Sequence, residues 1–579
     1  MRRVALLGMG LLALAACGGG STGGGTTSSP APTPTPAPAP APTPTPTPTP
    51  ATAWSSFVGT TLEQLYQLDP SFAVYEGRHD FDGNLPDWSD AGLLRARTFW
   101  HSVVDQANAF TGLDTSQQFE RDYLVQVAKG QLFVLEDADQ PHTSPTFYIN
   151  GGLDPDVYVT RAYADAPTRM RAVIKFLQAI PAVTTTIRAN LKLPLPATFI
   201  TIGASSFSGF ATYYGNDIPA AFADVNDANL QQQLATAASA ASQAMTGLAQ
   251  FLNANTGTAT QNFALGTDRF LRMLSDVEGV NTTIAELQQA GNDDLKRNQD
   301  AITAACTQYA PGLSVPACIA RMESNVPADG MIAAATRQIA ELRSFVIAQD
   351  LLTIPSNDPV VVRPSPPFRL GSGALFAPVG PLETGLTSVY YISPNASFGE
   401  ADLLFVTAHE VMPGHFLQFL NSNRSASLVG KSFIDYGFAE GWGHYSEEMM
   451  WEAGLRGTPE AHIGQLFNAL LRNCRFLASI GLHTQGMTVA QAQTLFQQQC
   501  FQGAGSANQS ALRGTYDPLY ITYTLGKLMI RRLRSDWTAT RGGRAAWKPF
   551  HDQFLSFGGP AIPLVRKAMM NEATARTVF

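Results

Sequence analysis

His-Glu-Val-Met-Pro-Gly-His, at residues 409–415, is the most informative segment of this chain. It holds two imidazoles and a carboxylate, and the acidic segment Glu-Gly-Trp-Gly-His-Tyr-Ser-Glu follows at residues 440–447. A zinc ion in a hydrolytic site takes nitrogen and oxygen ligands in a tetrahedron and keeps one position for water. The two segments together contain the side chains that such a site requires.

The spacing of the two histidines does not fit a regular helix. In the common His-Glu-x-x-His motif the histidines are four apart and share a helix face, whereas His409 and His415 are six apart. At about 100° per residue, six positions put the two rings roughly 120° apart around the helix axis. Pro413 has no N–H and its ring clashes with the His409 carbonyl, and Gly414 tolerates unusual backbone angles. We therefore predict a break at Pro413-Gly414 that returns His415 to the side of His409.

The acidic segment offers the remaining ligand. Glu440 and Glu447 are seven apart, close to two helical turns, so they lie on one helix face and one can ligate while the other supports. A ligating histidine commonly donates its other ring nitrogen to a carboxylate, which favours Glu440 as ligand and Glu447 as support. His444 lies near the same face and competes for either role. Glu410 is not needed as a ligand, so it is the predicted general base.

Four phrases resemble the bacterial domain-of-unknown-function-885 family. They are His-Glu-x-x-Pro-Gly-His-x-Leu-Gln (409–418), Glu-Gly-Trp-x-x-Tyr-x-Glu (440–447), Gly-Leu-His (481–483) and Tyr-x-x-Gly-Lys-Leu (523–528). The resemblance implies a metallopeptidase-like protein, similar to the thimet oligopeptidase and carboxypeptidase Taq groups. It implies a mainly α, two-lobed zincin-like fold with a small β-sheet near the active-site helix. Those groups use a glutamate as third zinc ligand and another glutamate seven later, matched here by Glu440 and Glu447.

The expected reaction is zinc-dependent hydrolysis of peptide bonds. The ion, Zn2+, polarises the scissile carbonyl and lowers the pKa of its water towards ~7, and Glu410 passes the water's proton to the leaving amine. The oxyanion needs a further hydrogen-bond donor. The resemblance implies Tyr523 for that role, with Tyr520 and His483 as alternatives. Tyr523 also belongs to an aromatic stretch with Tyr516 that could be core packing.

Two other functions use the same residues. Two histidines and one carboxylate also form the facial triad of non-haem iron oxygenases, but those enzymes commonly have β-barrels and this chain reads as helical. A metal-binding surface lipoprotein without turnover is the other alternative. Arg513 could bind a substrate carboxylate or be an ordinary exposed arginine, and both endopeptidase and exopeptidase action remain open.

The N-terminus predicts export. Arg2 and Arg3 precede the apolar run 4–16, which is too short to span a bilayer and is typical of a signal peptide. The run ends Leu-Ala-Ala-Cys, which resembles a lipobox, so we predict a signal peptide at 1–16 and a lipid on Cys17; ordinary cleavage nearby is the alternative. Gly18 behind that cysteine favours the outer membrane, with the protein facing the periplasm or the surface.

Composition divides the rest of the chain into a linker and one folded unit. Residues 17–53 are rich in Gly, Ser, Thr and Pro and carry no charge, so they are predicted to be a disordered linker with a reach on the order of 100 Å. Residues 54–579 are predicted to form one catalytic unit. The formal charge is -8, and the short basic run 531–534 is typical of a solvated helix face. We therefore predict a peptide substrate, no nucleic acid, and membrane contact only through the lipid.

Cysteine usage fits an oxidising compartment. Besides Cys17 there are four cysteines, which allow three pairings or could remain buried thiols. Cys306 with Cys318 and Cys474 with Cys500 close the shortest loops and therefore cost least entropy.

Hydrophobic periodicity predicts helices at 226–255, 282–305, 331–350, 402–421, 434–453 and 461–478. Strands are predicted at Thr198–Ile202 and Ser388–Ile392. The second strand precedes the His-Glu helix, where related peptidases place an edge strand that pairs with the substrate backbone.

Overall fold

The computed structural model of the protein describes residues 50–365 and 373–575. The predicted signal peptide (1–16), Cys17 and most of the predicted linker therefore lie outside the described residues. The first helix begins at Pro50 and buries Trp54. Ordered structure thus begins inside the stretch that composition assigns to the linker (17–53).

The described part of the chain is mainly helical. The helices before residue 260 are α1 Pro50–Leu68, α2 Pro70–Glu76, α3 Asp90–Ala109, α4 Thr115–Leu132, α5 Gln140–Thr143, α6 Pro145–Gly151, α7 Asp156–Thr160, α8 Ala166–Asn190, α9 Ala197–Thr212, α10 Ile218–Ala221 and α11 Ala228–Ala254. The helices after it are α12 Thr267–Glu278, α13 Ile284–Tyr309, α14 Val315–Ser324, α15 Met331–Ala348, α16 Glu400–Glu410, α17 His415–Ser422, α18 Leu428–Ser432, α19 Tyr436–Glu452, α20 Pro459–Thr484, α21 Val489–Gln499, α22 Ala504–Tyr516, α23 Thr522–Thr538, α24 Trp547–Ser556 and α25 Ile562–Met570.

Two hydrophobic cores organise these helices. One is built from residues 54–252, with Val429 and Phe433 added from the α18 region. The other is built mainly from residues 270–569 and contains the helices α16, α19, α20 and α23. Within it α16 packs on both α19 and α20, and α19 packs on α23. The two segments that carry the predicted ligands are therefore neighbours inside one core.

A small sheet lies beside α16. Its strands are β1 Val360–Pro364, β2 Ala374–Ala377 and β3 Ser388–Ile392, in the order β1-β3-β2. β3 pairs in parallel with β1 and antiparallel with β2. The strand predicted at Ser388–Ile392 is confirmed, but it is the central strand rather than the expected edge. The edge strand that packs on α16 is β2.

Most predicted helices are confirmed, whereas one predicted strand is wrong. The periodicity at 226–255, 282–305, 331–350, 434–453 and 461–478 corresponds to α11, α13, α15, α19 and α20. Thr198–Ile202 lies in α9 rather than in a strand. Its β-branched residues favour a strand locally, but the buried positions of α9 recur every three to four residues and pack against α11. Tertiary burial outweighs local propensity here.

Of the three possible pairings, the structure has the one that closes the shortest loops. Cys306 pairs with Cys318 and Cys474 pairs with Cys500. The second bond fastens α20 to the end of α21.

Candidate metal centre

The helix that carries His409 ends inside the His-Glu segment. α16 ends at Glu410, residues 411–414 are not helical, and α17 begins at His415. The predicted break is confirmed, although the helix already stops before Pro413. The periodicity at 402–421 therefore covers two helices rather than one.

Two contacts hold the backbone of the break. The Gly414 N–H donates to the Ala408 carbonyl at 2.9 Å, and Trp442 Nε1 donates to the Pro413 carbonyl at 2.8 Å. A Cβ at position 414 would lie 1.8 Å from the His409 carbonyl oxygen, so glycine is required there. The tryptophan of the acidic segment thus fixes the backbone of the histidine segment.

The break brings the three predicted ligands to one point. The His409 and His415 rings are perpendicular, with centroids 4.7 Å apart. Glu440 Oε2 lies 3.2 Å from His409 Nε2 and 3.5 Å from His415 Nε2. One ligand atom from each of the three residues lies within 4.8 Å of the others. That spacing fits three ligand atoms around a single ion.

The partners of these atoms support the same reading. All three side chains are buried, at 1%, 2% and 0% exposed for His409, His415 and Glu440. Three of their polar atoms have no hydrogen-bond partner within residues 50–365 and 373–575. They are Nδ1 and Nε2 of His415 and Oε1 of Glu440. Buried polar groups are rarely left unpaired. Two imidazoles and one carboxylate are a ligand set that suits zinc.

Glu447 supports His409 from the opposite side of the ring. Glu447 Oε1 lies 2.6 Å from His409 Nδ1, which leaves Nε2 facing Glu440. Arg472 lies 3.1 Å from the same carboxylate. Burial raises the pKa of Glu447, but Arg472 and His409 outweigh it and hold that pKa well below the usual range. Glu447 therefore remains an anion that orients the His409 ring.

The same carboxylates act on the pKa of the histidine. Burial and Arg472 lower the pKa of His409, but hydrogen bonds to Glu440 and Glu447 outweigh them and raise it to about 9. Burial raises the pKa of Glu440, but the rings of His409 and His415, 3.2 and 3.5 Å from its Oε2, hold that pKa well below its usual range. The carboxylates of Glu440 and Glu447 therefore stabilise positive charge at the point where the three candidate ligands meet.

His444 lies beside Glu447 and does not join the three ligands. Its Nδ1 is 3.7 Å from Glu447 Oε1, and neither ring nitrogen has a hydrogen-bond partner in the described chain. Burial and Lys527 lower the pKa of His444 to about 3. The side chain is thus a neutral neighbour of the supporting carboxylate.

Glu410 is held close to the ligands but apart from them. Its Oε2 accepts a hydrogen bond from the Phe376 N–H of β2 at 2.9 Å. The side chain is 5% exposed and is not one of the three clustered ligands. Within the described residues, no hydrogen bond is found for the other carboxylate oxygen, Oε1.

Tyr523 lies next to the ligands, whereas His483 does not. The Tyr523 ring stacks against His409 with centroids 6.3 Å apart. Burial and Glu440 raise the pKa of Tyr523, while Arg513 and Arg475 lower it. Tyr520, the alternative donor, is fully buried.

His483 is engaged by the backbone on both sides of its ring. Nε2 lies 2.7 Å from the Gly514 carbonyl, and the Leu265 N–H donates to Nδ1 at 3.3 Å. Both nitrogens are therefore occupied in joining separate segments. The alternative role of His483 as a hydrogen-bond donor to the oxyanion does not fit this geometry, because both ring nitrogens already have backbone partners.

Glycines allow the helices around the ligands to approach closely. A Cβ at Gly443 would lie 2.7 Å from the His409 ring, so this position of α19 makes room for the ligand. A Cβ at Gly441 would lie 2.6 Å from the Gly526 Cα, where α19 crosses α23. That close crossing brings Tyr523 of α23 towards Glu440 of α19.

Sequence reasoning missed four groups that adjoin the site. Arg472 contacts Glu447, Arg475 lies over Tyr523, Tyr436 contacts Arg513, and the backbone of Phe376 holds Glu410. The run Arg-Asn-Cys-Arg at 472–475 was the available signal, because two arginines three apart share a helix face. The Phe376 contact involves only the backbone and leaves no such signal.

A family model matches most of the chain. The family described as "Bacterial protein of unknown function (DUF885)" matches residues 70–569. The chain belongs to this family. The matched segment includes the three candidate ligands, Glu410 and Tyr523. No curated protein matches the chain.

Two solved structures share the fold. A candidate lipoprotein of unknown function from Shewanella oneidensis is 22% identical, with a TM-score of 0.73, and the match covers 89% of this chain and 99% of that one. A candidate lipoprotein from Colwellia psychrerythraea is 16% identical, with a TM-score of 0.77 and coverage of 90% and 99%. In the part of the chain that the structure describes, every helix is too short or too polar to cross a membrane.

Proposed function

We propose that this DUF885 protein is a zinc-dependent peptidase with a zincin-like helical site. The observation that carries the proposal is the convergence of His409, His415 and Glu440, whose buried ligand atoms lie within 4.8 Å of one another. Glu410, held beside them by a backbone N–H, gives the site a base as well as ligands. A purely structural metal site would not need that free carboxylate.

The side chains divide the work of amide hydrolysis. A zinc ion bound here supplies a Lewis acid for the scissile carbonyl and lowers the pKa of the attacking water. Glu410 takes the water's proton at Oε1 as the new C–O bond forms, and it delivers that proton to the amine nitrogen as the C–N bond breaks. Glu447 keeps the His409 ring oriented, and Tyr523 is the proposed hydrogen-bond donor to the developing oxyanion.

The sheet suggests how a peptide lies in the site. Within the described residues β2 pairs with β3 along one edge, and its Phe376 N–H faces Glu410 on the other. Extended peptides commonly add to exposed sheet edges. We place the substrate backbone along β2, which replaces the expectation for Ser388–Ile392.

Metal content and turnover together test the proposal. We expect one zinc per chain by elemental analysis, and metal-dependent cleavage of short unstructured peptides. The double variant His409→Ala/His415→Ala should lose both. Stoichiometric zinc in that variant would reject the site, whereas zinc binding without cleavage of any peptide in a diverse library would reject the peptidase assignment.

We also propose that the enzyme is exported and anchored to the outer membrane through a lipid on Cys17, so that it faces the periplasm or the cell surface. The sequence 1–17 and the candidate-lipoprotein descriptions of the two structural neighbours support this. Membrane fractionation tests it. Wild-type protein should pellet with membranes, and Cys17→Ser should remain in the soluble fraction; a variant that still pellets would refute the anchor.

A further inference from the structure

Three guanidinium groups surround the ring of Tyr523 beside the metal cluster. The Cζ atoms of Arg472, Arg475 and Arg513 lie 5.7, 5.3 and 5.9 Å from the ring centroid. Arg472 and Arg475 come from α20 and Arg513 from α22. So much positive charge in a partly buried place requires compensation by anions.

Two of the three arginines have anionic partners. Arg472 lies 3.1 Å from Glu447. Arg513 lies 2.8 Å from Asp517 and donates to the Tyr436 hydroxyl at 2.7 Å. These pairs leave the two guanidinium groups balanced by carboxylates of the protein itself.

Arg475 is different because no carboxylate balances it. Within residues 50–365 and 373–575, no hydrogen bond or ion pair of Arg475 is found, and its Nε is buried without a partner. Its contact is with the face of Tyr523. Burial and the neighbouring Arg513 lower the pKa of Arg475, which reflects the cost of an unbalanced charge. The three arginines around Tyr523 therefore carry one more positive charge than the carboxylates that contact them.

The position of this charge fits one part of a peptide. Tyr523 stacks 6.3 Å from His409, so the Arg475 guanidinium is at most about 12 Å from that ligand ring. An extended chain advances roughly 3.3–3.6 Å per residue, and an arginine–carboxylate pair takes up a further few ångströms. One or two residues therefore span from the scissile bond to Arg475.

We infer that Arg475 binds the α-carboxylate of the substrate, so that the enzyme cuts one or two residues from the C-terminus. The inference rests on the proposed function and deepens it, since it selects exopeptidase action. A guanidinium presents parallel N–H donors that match both oxygens of a carboxylate. The substrate's negative charge supplies the balance that Arg475 lacks.

A cavity beside these residues can receive the C-terminal segment. It has a volume of about 690 Å³ and is lined by Tyr436 and Arg513 together with residues of both hydrophobic cores, such as Leu195 and Met273. Pockets for small ligands commonly measure roughly 300–1,000 Å³. The space next to Arg513 is therefore large enough for one or two amino-acid residues.

The experiment compares two peptides that differ at one group. One ends in a free carboxylate, and the other has the same sequence with a C-terminal amide. We expect kcat/KM for the acid to exceed that for the amide at least tenfold, with cleavage one or two residues from the end. Arg475→Gln should reduce kcat/KM for the acid roughly 10- to 100-fold more than for the amide, as expected for a charged hydrogen bond. Arg475→Lys should restore part of the difference because it restores the charge.

Controls distinguish a specific effect of Arg475 from a general loss of folding, and the α-carboxylate from a side-chain carboxylate. Arg171→Gln on α8 removes an exposed arginine, and it should leave the acid-to-amide ratio at the wild-type value. Zinc content and the circular dichroism melt of each variant report on folding. A third peptide, amidated at the end but carrying glutamate at the last position, tests a side-chain carboxylate as the source; an Arg475-dependent preference for it would overturn the assignment to the α-carboxylate.

Binding without turnover gives an independent readout. In the Glu410→Gln background, calorimetry should show tighter binding of the acid than of the amide, and adding Arg475→Gln should remove that difference. Equal cleavage and equal binding of acid and amide would overturn this inference while leaving the peptidase proposal intact. Arg475-dependent binding of the acid with no cleavage in the wild type would instead reject the peptidase proposal and retain the carboxylate site.

Discussion

At the scale of single residues, the candidate site separates ligands from the base by one position in sequence. His409 lies in the last turn of α16 with its ring beside His415 and Glu440, while Glu410, the last residue of that helix, accepts a hydrogen bond from the Phe376 N–H of β2 at 2.9 Å. The backbone donor fixes one oxygen of the carboxylate, and the other oxygen is the one to which the proposed mechanism assigns proton transfer. This arrangement makes a selective substitution possible.

Glu410→Gln should abolish turnover without disturbing the metal. Glutamine can still accept the Phe376 N–H, so the local structure is kept while the base is lost. We expect stoichiometric zinc and a rate lower by ~10² to 10⁴, the usual contribution of general-base catalysis. Single-turnover cleavage and elemental analysis on the same preparation measure both. Near-normal turnover would rule out Glu410 as the base.

The convergence of the candidate ligands could be predicted from the sequence, whereas the charge around them could not. His409, His415, Glu440 and Glu447 lie in two short segments whose spacing already limits their geometry. The inferred role of Arg475 depends on the absence of a neighbouring carboxylate. That absence results from the packing of α20 against α22 and α23. Spacing along the chain carries no such information, and so Arg513 alone was considered from the sequence.

At the scale of elements, the break between α16 and α17 decides whether the histidines meet. Proline explained from sequence why the helix must stop, but the Trp442 contact that holds the break joins residues 29 positions apart. The misread strand at Thr198–Ile202 has the same cause, since packing against α11 outweighs its β-branched residues. The local sequence thus predicts where a helix ends, whereas contacts between residues distant in sequence determine whether a segment forms a helix or a strand and how the break is held.

Gly414→Ala tests the break directly. The added Cβ would lie 1.8 Å from the His409 carbonyl oxygen, so the backbone must move and carry a ligand with it. We expect zinc affinity to fall at least tenfold in competition with a chelator of known affinity. Gly247→Ala on α11 is the matched control, because a Cβ there meets no atom within 4 Å. An unchanged affinity in Gly414→Ala would mean that the geometry of the break does not control ligand placement.

Two buried carboxyl groups, those of Asp435 and Glu278, accept hydrogen bonds from the first turn of α19. Asp435 caps the helix by accepting the Phe438 N–H at 3.0 Å, and Glu278 accepts the Gly437 N–H at 3.3 Å. Burial and the facing Asp435 raise the pKa of Glu278 well above its usual value, and burial raises the pKa of Asp435 to about 6. The pair therefore holds a proton at a pH where free carboxyls have lost theirs.

This pair should make the protein less stable as the pH rises. A carboxyl with a raised pKa binds more protons in the folded chain than in the unfolded chain, so stability declines from about pH 4 upwards through the folded pKa. Glu278→Gln keeps the shape but removes one of the two acids. We expect it to raise the free energy of unfolding by on the order of 2 kcal/mol at pH 8 and by much less at pH 5.

Denaturant unfolding at several pH values measures this effect. Asp105→Asn, on the exposed face of α3, is the control and should leave the pH profile unchanged. If Glu278→Gln and wild type lose stability in parallel between pH 5 and pH 8, the carboxyl pair is not the cause of the decline.

At the scale of the whole molecule, the reacting groups lie inside one large helical core. The three ligands are at most 2% exposed and Glu410 is 5% exposed. The neighbouring cavity is lined by residues of both hydrophobic cores. On the proposed function, a substrate therefore has to reach the candidate ligands as a single extended chain, because a folded surface is too broad to enter.

The length of a flexible tail should consequently control cleavage of a protein substrate. The test substrate is a stable small domain whose chain continues for one, five or ten residues beyond its last ordered element and ends, in all three forms, in the same three residues. Ten extended residues reach on the order of 30 Å, enough to enter while the domain stays outside, whereas one residue cannot. The ten-residue tail should be cut at a rate near that of the free peptide, and the one-residue tail at least 100-fold more slowly. Unfolding the domain by a destabilising mutation should restore cleavage of the short-tailed form, since it frees the chain to extend. Equal rates for all three tails on the folded domain would show that the site is open to folded surfaces and would contradict its enclosure.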